Sequence, residues 1–383
     1  MATVAPMSPS PRLGRLLGRE RPLLSVVVAV HDGAEHLAAC LDSVLAQDYA
    51  PLEVVVVDDG SSDSSVAVAE ACAAAHPERV RVLRRPAAGL GAARNAGVEA
   101  ARGSLLAFAE VDSVVPPGSY TALHRQMRRT GADLVTGSMA RQRGGKLIEP
   151  AWMRRTHTRQ ACVVDQHPEI LADTFAGTKL FRREFWEGAD LVWATGLGHD
   201  GSVEDGPTTS RAYIVARRIG VVPDVVQHRR ERPAAQRDRS TVADLQDRWR
   251  AKRLALSTVE EYGAPKVTEV FRHRVLVADL PDVLADVPGC DDAWWAALRL
   301  GVVELWGMHG SLTGSGLAPL DRLVGWLVEQ DRREDASAVL TWAAEHPGPL
   351  PLRETPHGRV LAIPVLDATS VARSAIALHA DER

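Results

Sequence analysis

Cysteine is scarce in this sequence, and its placement excludes metal clusters and disulfide scaffolds. The 383 residues contain four cysteines, Cys40, Cys72, Cys162 and Cys290, which lie far apart. No C-x-x-C pair is present, which argues against a structural zinc site. A chain of this length does not need disulfides to stabilise its core. We therefore expect reduced, mostly buried thiols, as in a cytoplasmic protein.

Long apolar segments are also missing. No run reaches the roughly 18 consecutive apolar residues of a membrane-spanning helix. Residues 1–21 lack the apolar centre of a secretory signal, and we expect them to form a disordered tail. Residues 12–21 are basic, so at most a peripheral contact with the inner face of a membrane is expected.

The charge balance and the glycine motifs exclude further classes. A formal net charge of −4 provides no basic field for nucleic acid. Neither the G-x-G-x-x-G fingerprint nor a GKS/T phosphate loop occurs, so dehydrogenase-type and P-loop functions lack support. Apolar residues make up 45% and charged residues 25%, which is typical of a globular protein. The length favours two domains.

Apolar runs alternate with helical patterns in the first third of the chain. The runs are residues 23–30, 52–57, 80–83 and 103–108. Strands that alternate with helices in this way predict an α/β fold with a doubly wound, mostly parallel sheet. Because the crossovers are right-handed, the carboxyl ends of these strands meet at one edge, where ligands bind.

Acidic residues follow three of these runs. Asp58 and Asp59 could contact a nucleoside or cap the next helix, and both interpretations remain open. Glu110 and Asp112 occupy alternate positions and could face one Mg²⁺ or Mn²⁺ ion, or form a solvated turn. Asp32 follows the first run.

Five further residues are candidates for chemistry. Arg94 and Asn95 follow two glycines at a helix start, a place that favours phosphate. Glu204 and Asp205 precede a helical pattern and could supply a general base, or simply face the helix dipole. His228 ends a predicted strand at 223–228 and is a metal ligand or a satisfied polar residue.

The last third of the chain is predicted to be mainly helical. Residues 229–239 are dense in charge and predict a linker or loop. Helical spacing begins near Thr241, and six of the nine tryptophans fall at or after Trp249, where they indicate helix packing. A late strand is predicted within 359–366.

Four segments in this order resemble the family 2 glycosyltransferases, which have the GT-A fold. They are LSVVVAVHD (24–32), EVVVVDDGSS (53–62), GLGAARNAG (89–97) and FAEVD (108–112). GTKLFRREFW (177–186), EDGP (204–207) and QHRRER (227–232) are similar to the subgroup found with teichoic-acid-type polymerases. The sequence differs from the family pattern at His31-Asp32, where tyrosine-asparagine is usual, and at Glu110-Val-Asp112-Ser113, where DxDD is usual.

The resemblance implies an inverting glycosyltransferase that moves a sugar from a nucleotide-sugar, above all a UDP-sugar, to an acceptor hydroxyl. It implies that Asp205, with Glu204, acts as the base. The nucleotide-sugar would contact Asp32, Asp58, Asp59, Arg94, Asn95, Glu110 and Asp112. A Mg²⁺ or Mn²⁺ ion would bind Asp112, Glu110 and His228.

The resemblance also suggests a division of the chain and a range of acceptors. The GT-A domain would span 22–232 and the helical region 233–383, with the latter available for acceptor binding or for a homo-oligomer. The acceptor would be a glycan, a polyol-phosphate or a small molecule. Two alternatives stay open, namely an alcohol-phosphate transferase with a nucleotide donor and a non-catalytic scaffold that binds nucleotide-sugars.

Overall fold

The computed structural model describes residues 21–197, 205–230, 240–307 and 310–382. The predicted tail at 1–21 lies outside these ranges except for Arg21. A mixed sheet of ten strands forms the centre of the protein. Its strands are β1 (Leu24–Val30), β2 (Leu52–Asp58), β3 (Val80–Arg84), β4 (Leu105–Phe108), β5 (Ser113–Val114), β6 (Leu134–Arg143), β7 (Lys146–Ile148), β8 (Ala161–Cys162), β9 (Lys179–Arg182) and β10 (Ile219–Arg230).

The helices of this part cover both faces of the sheet. They are α1 (Ala34–Leu45), α2 (Ser65–Ala75), α3 (Leu90–Ala100), α4 (Ser119–Thr130), α5 (Ala151–Thr156), α6 (Arg183–Gly188) and α7 (Asp205–Val215). The sheet order is β3-β2-β1-β4-β9-β6-β10-β5, with β7 beside β6 and β8 beside β10. The first four strands are parallel, β9 is antiparallel to both β4 and β6, and β10 is parallel to β6. The predicted doubly wound α/β sheet is confirmed.

Alternation along β1 explains why its sequence is apolar at nearly every position. Val26, Val28 and Val30 pack into a core with α1 and α4, whereas Val27 faces a second core on the other side. A strand buried on both faces needs apolar residues in both registers. Burial of each such side chain contributes roughly 1.5–3 kcal/mol.

The chain after residue 240 is mainly helical, as predicted. Its elements are α8 (Val242–Tyr262), α9 (Pro265–Val270), α10 (Leu280–Leu284), α11 (Asp292–Val302), α12 (Pro319–Glu329), α13 (Arg333–Glu345) and α14 (Arg373–Ile376), with the hairpin β11 (Leu352–Thr355) and β12 (Gly358–Leu361). α8 begins with the capping box that Thr241 and Asp244 predict. Trp249, Trp294, Trp295 and Trp306 are buried, so the predicted packing role of the tryptophans holds for these four.

The helical region shares its core with the sheet. Val27, Trp193, Leu245 and Trp249 belong to one continuous set of buried apolar residues. α7, next to the sheet, packs along α8. Among the described residues, no helix combines the length and hydrophobicity that crossing a bilayer needs.

Two local predictions are wrong. Arg229 and Arg230 do not start a linker, because β10 extends to Arg230 and pairs with both β5 and β6 there. The segment from Glu110 to Asp112 is not extended, because β4 ends at Phe108 and the chain turns at Val111 and Asp112.

Candidate active site

The three acidic clusters lie at one edge of the sheet. Val30 of β1 pairs with Asp58 of β2, and Val27 pairs with Phe108 of β4. The residues that follow these strands therefore emerge side by side. This is the carboxyl edge, where parallel α/β sheets bind ligands.

Asp59 is fully buried and organises the loop that leads into α3. Its carboxylate accepts hydrogen bonds from the backbone N–H groups of Ala88, at 3.1 Å, and Gly89, at 2.7 Å. Arg85 forms an ion pair with it at 3.5 Å. Gly89 has a φ of 94°, a conformation that favours glycine. Asp59 thus sets the position of α3, and a nucleoside contact by its carboxylate stays a prediction.

Asp32 and Asp58 stabilise the two neighbouring turns. Asp32 accepts hydrogen bonds from the backbone N–H groups of Ser62, at 2.7 Å, and Asp63, at 3.1 Å. These bonds, that of Ser62 first, lower the pKa of Asp32. Asp58 is buried, with both carboxylate oxygens 3.4 Å from the Ser61 nitrogen. Their predicted contacts with a nucleotide-sugar are untested.

Glu110 and Asp112 meet the same guanidinium, that of Arg229. The Nε of Arg229 lies 3.4 Å from Oδ2 of Asp112 and 3.7 Å from Oε2 of Glu110. That Glu110 oxygen is buried and accepts no hydrogen bond from any described residue. Burial raises the pKa of Glu110, and Arg229 opposes this rise.

Val111, between the two acids, packs against Gly33. A Cβ at Gly33 would lie 2.7 Å from Cγ1 of Val111, so the loop after β1 accepts only glycine here without a shift. The bulky middle residue of this E-x-D segment therefore has a structural explanation. Its side chain fills the space that Gly33 leaves open between the loops after β1 and β4.

His228 does not join the acidic pair. Gln227 donates to Ser113 and Arg229 contacts Asp112, so these two residues face the same side of β10. Because side chains alternate along a strand, His228 faces the other side. No group of three or more His, Cys, Asp or Glu residues in the described ranges is arranged to hold a metal ion. The predicted ligand set of Glu110, Asp112 and His228 therefore does not assemble, and its two carboxylates face a guanidinium instead.

Asp205, the predicted base, is buried at the start of α7 and forms an ion pair with Arg94. The Arg94 Nη1 donates to Oδ1 of Asp205 at 2.7 Å, and the backbone N–H of Ala176 donates to Oδ2 at 3.0 Å. Asp205 also lies close enough to Glu110 to raise the pKa of that residue. The predicted partner Glu204 lies outside the described residues.

Trp193 holds α3 in position through contacts with Arg94 and Asn95. The guanidinium carbon of Arg94 lies 4.9 Å from its ring centre, a cation–π contact. The side-chain amide of Asn95 donates to the Trp193 carbonyl at 3.0 Å and accepts from the Trp193 N–H at 2.8 Å. Asn95 therefore uses both ends of its amide in the fold, and its predicted nucleotide contact is untested.

A buried network behind Asp205 was not predicted from the sequence. Lys179 and Asp173, both fully buried, form an ion pair at 2.9 Å. His157 and Thr136 also bind the Asp173 carboxylate. Burial alone would raise the pKa of Asp173, but Lys179 and His157 outweigh it and hold that pKa well below its usual range. The network fixes residues 173–179, which carry the Ala176 N–H that binds Asp205.

A deep cleft with a volume of about 2770 Å³ lies at the carboxyl edge of the sheet. One wall belongs to the sheet edge and the other to α8, α9 and the segments after them. Arg94, Glu110, Asp112 and Arg229 line it, together with Pro207 near Asp205. Carboxylates and guanidiniums from distant parts of the sequence are thus gathered at one opening.

The sequence model of the family "Glycosyl transferase family 2" matches residues 25–187, which carry the three strand-end clusters. This match covers 163 of the 383 residues, which is less than half of the chain. Two curated relatives from Bacillus subtilis also match. The "Uncharacterized glycosyltransferase EpsJ" is 27% identical over 217 residues, and the "Putative glycosyltransferase EpsH" is 32% identical over 220 residues.

These matches cover part of each protein. Each alignment includes 55% of this chain, with 62% of EpsJ and 61% of EpsH. The chain thus spans about three fifths of the length of each of these two relatives.

Solved structures share the fold over a longer stretch. TarS 1-349 of S. aureus, in a crystal structure with UDP-GlcNAc, matches with a TM-score of 0.66 at 17% identity. The match covers 89% of this chain and 96% of that one, and a complex with UDP matches with a TM-score of 0.64. The predicted fold, a GT-A-like α/β sheet followed by a mainly helical region, is therefore confirmed.

Proposed function

We propose that this protein is an inverting glycosyltransferase that uses a nucleoside diphosphate sugar as donor. The observation that carries the proposal is the convergence of Glu110, Asp112 and Asp205 with Arg94 and Arg229 at one cleft of a family 2 domain. Sugar transfer needs a base for the acceptor hydroxyl and positive charge for the departing diphosphate. This cluster contains both.

The two guanidiniums supply positive charge where the diphosphate would leave. Arg94 lies in the first turns of α3, a helix of 11 residues whose N-terminal N–H groups also favour an anion. Arg94 and Arg229 both line the cleft. Fixed charges in a site with little water stabilise a developing anion strongly, because they need no reorganisation during the reaction.

Asp205 would take the proton of the acceptor hydroxyl. Its oxygens are bound by Arg94 and the Ala176 N–H, and the residue is 2% exposed. The donor phosphates would compete for Arg94 and thereby release one oxygen of Asp205. The acceptor oxygen then bonds to the anomeric carbon, the bond to the diphosphate breaks on the opposite side, and the proton passes to Asp205.

Two observations support particular substrates. The S. aureus structure of the same fold binds UDP-GlcNAc, which supports a UDP-sugar as the first donor to test. The side chains of Arg141, Arg155 and Arg159 line the cleft with no ion pair to any described residue, which supports an anionic acceptor such as a polyol-phosphate. The catalytic domain would span 22–232, and the region 233–383 would form the second wall of the cleft.

Donor screening by thermal shift, followed by product analysis, tests this function. A matching nucleotide-sugar at about 100 times its Kd should stabilise the protein by about 2.7 kcal/mol. A β-linked product from an α-linked donor supports inversion. Release of an alcohol phosphate would identify the alternative transferase, and tight binding with no turnover by any acceptor would identify a binding protein.

A further inference from the structure

Arg229 occupies the place between two carboxylates where a divalent cation would bind. Its Nε lies 3.4 Å from Asp112 and 3.7 Å from Glu110, so one nitrogen faces both acids. Mg²⁺ and Mn²⁺ need several oxygen ligands at about 2 Å. With the guanidinium in this position, no cation can approach both carboxylates at that distance.

The backbone holds Arg229 in place from two sides. In β10 it pairs with Ser113 of β5 and with Arg141 of β6. The next residue, Arg230, donates its backbone N–H to the carbonyl of Asp112 at 3.2 Å. Arg229 is thus part of the sheet edge, rather than a flexible surface residue that happens to lie near an acid.

The environment also favours the bound guanidinium. Side-chain exposure is 26% for Arg229 and 12% for Glu110, so solvent screens the pair only in part. Glu110 and Asp112 both raise the pKa of Arg229, Glu110 most strongly. The side chain therefore carries its charge at every physiological pH.

The terminal nitrogens of Arg229 remain available for a ligand. The contact of Arg229 with each acid is closest at its Nε, and its Nη1 and Nη2 make no hydrogen bond with any residue in the described ranges. The residue lines the cleft, so these N–H groups can reach a phosphate. Together with Arg94, it places two guanidinium groups at the cleft.

We infer that Arg229 replaces the divalent cation at the Glu110–Asp112 pair, so that this protein binds a nucleoside diphosphate without metal. The diphosphate part of this inference depends on the proposed function. The part that concerns the acidic pair does not, because it predicts only that Mn²⁺ is kept out by Arg229.

Mn²⁺ binding tests the acidic pair directly. Electron paramagnetic resonance should detect no Mn²⁺ site in the wild-type protein up to about 1 mM, the weak end of protein cation sites. Arg229→Gln should gain a site that binds at least about tenfold more tightly, a difference of about 1.4 kcal/mol. Adding Asp112→Asn to that variant should remove the gained site.

Arg230→Gln is the matched control, because it removes the same charge one residue away and leaves both acids paired with Arg229. It should gain no Mn²⁺ site. A wild-type protein that binds Mn²⁺ in the micromolar range, or an Arg229→Gln variant that gains no site, would overturn the inference.

Titration with UDP tests the diphosphate part. Wild-type affinity should be the same within about twofold in EDTA and in Mn²⁺, whereas Arg229→Gln should bind about tenfold more weakly in EDTA and regain affinity with Mn²⁺. Loss of wild-type binding in EDTA contradicts the inference even if Arg229→Gln fails to fold. If no nucleotide binds under either condition, the proposed function fails, and the Mn²⁺ titration still decides the role of Arg229.

Discussion

The guanidinium of Arg94 donates to the carboxylate of Asp205 at 2.7 Å, although the two residues are 111 positions apart in the chain. Their side chains are 7% and 3% exposed. A pair this deeply buried gains little by itself, since desolvation offsets the attraction, but loss of one partner leaves an uncompensated charge. The arrangement joins the predicted phosphate-binding helix to the predicted base.

A double-mutant cycle should show that the effect of replacing Arg94 on the free energy of unfolding depends on Asp205. We expect Arg94→Gln to lower the free energy of unfolding by about 3 kcal/mol, because Asp205 is left unpaired. The double variant Arg94→Gln/Asp205→Asn should recover a large part of that loss. Urea denaturation measures the free energy of unfolding of the wild type, of both single variants and of the double variant. Additive effects would show that the two side chains do not interact.

Asp205→Asn should separate chemistry from donor binding. Asparagine keeps the shape and can still accept a hydrogen bond from Ala176, but it cannot take a proton. We expect kcat to fall by about 10²–10⁴-fold, whereas the donor should bind at least as tightly as to the wild type, because the Asp205 carboxylate no longer competes for Arg94. Near-normal turnover by this variant would show that another residue is the base.

The Asp173–Lys179 pair should make stability sensitive to acid. The folded state holds the pKa of Asp173 below its usual range, so below about pH 4 the unfolded chain binds more protons than the folded one. The contribution of the Asp173–Lys179 pair to the free energy of unfolding is therefore complete above about pH 4. It is lost as the pH falls, by up to about 1.4 kcal/mol per pH unit.

An apolar replacement of both partners provides the comparison. Asp173→Leu/Lys179→Met should have a flatter dependence of unfolding free energy on pH below about pH 4, because the titrating carboxyl is gone. Denaturant titrations of both proteins at several pH values measure the two slopes. Parallel curves would contradict the assignment of this acid sensitivity to Asp173.

Gly301 should tolerate no side chain, although it lies within a helix. A Cβ there would lie 2.3 Å from the Trp249 indole, which packs α8 against α11. Alanine favours helices by about 1 kcal/mol, but overpacking costs about 1–3 kcal/mol, so we expect Gly301→Ala to destabilise the protein. Gly188→Ala, where a Cβ meets nothing within 4 Å, should have no destabilising effect. Thermal melts compare the two, and equal melting temperatures would show that Trp249 adjusts freely.

The sequence predicts those parts of the site that depend on one strand and its own end. Asp59, Glu110 and Asp112 each follow an apolar run, and parallel pairing then brings them to one edge. The other parts of the site depend on the order in which the strands pair in the sheet. Arg229 reaches the acids only because β10 lies between β6 and β5, and this order is not visible in a charged segment that resembles a linker.

The local sequence pattern does not show which partner a polar side chain has in the fold. Asn95 at a helix start predicts a nucleotide contact, which is untested, and its amide binds the backbone of Trp193, 98 residues away. Lys179 carries no local signal of burial, because its strand is short and its neighbours include arginines. The partners that keep it inside, above all Asp173, are known only from the fold.

Calorimetric titration of UDP into the wild-type protein and Arg94→Gln tests most directly whether these charges form a diphosphate site. We expect the wild type to bind UDP and Arg94→Gln to bind it at least about tenfold more weakly, a loss of about 1.4 kcal/mol. Equal affinity in the two folded proteins would contradict it, as would the absence of wild-type binding to any nucleoside diphosphate.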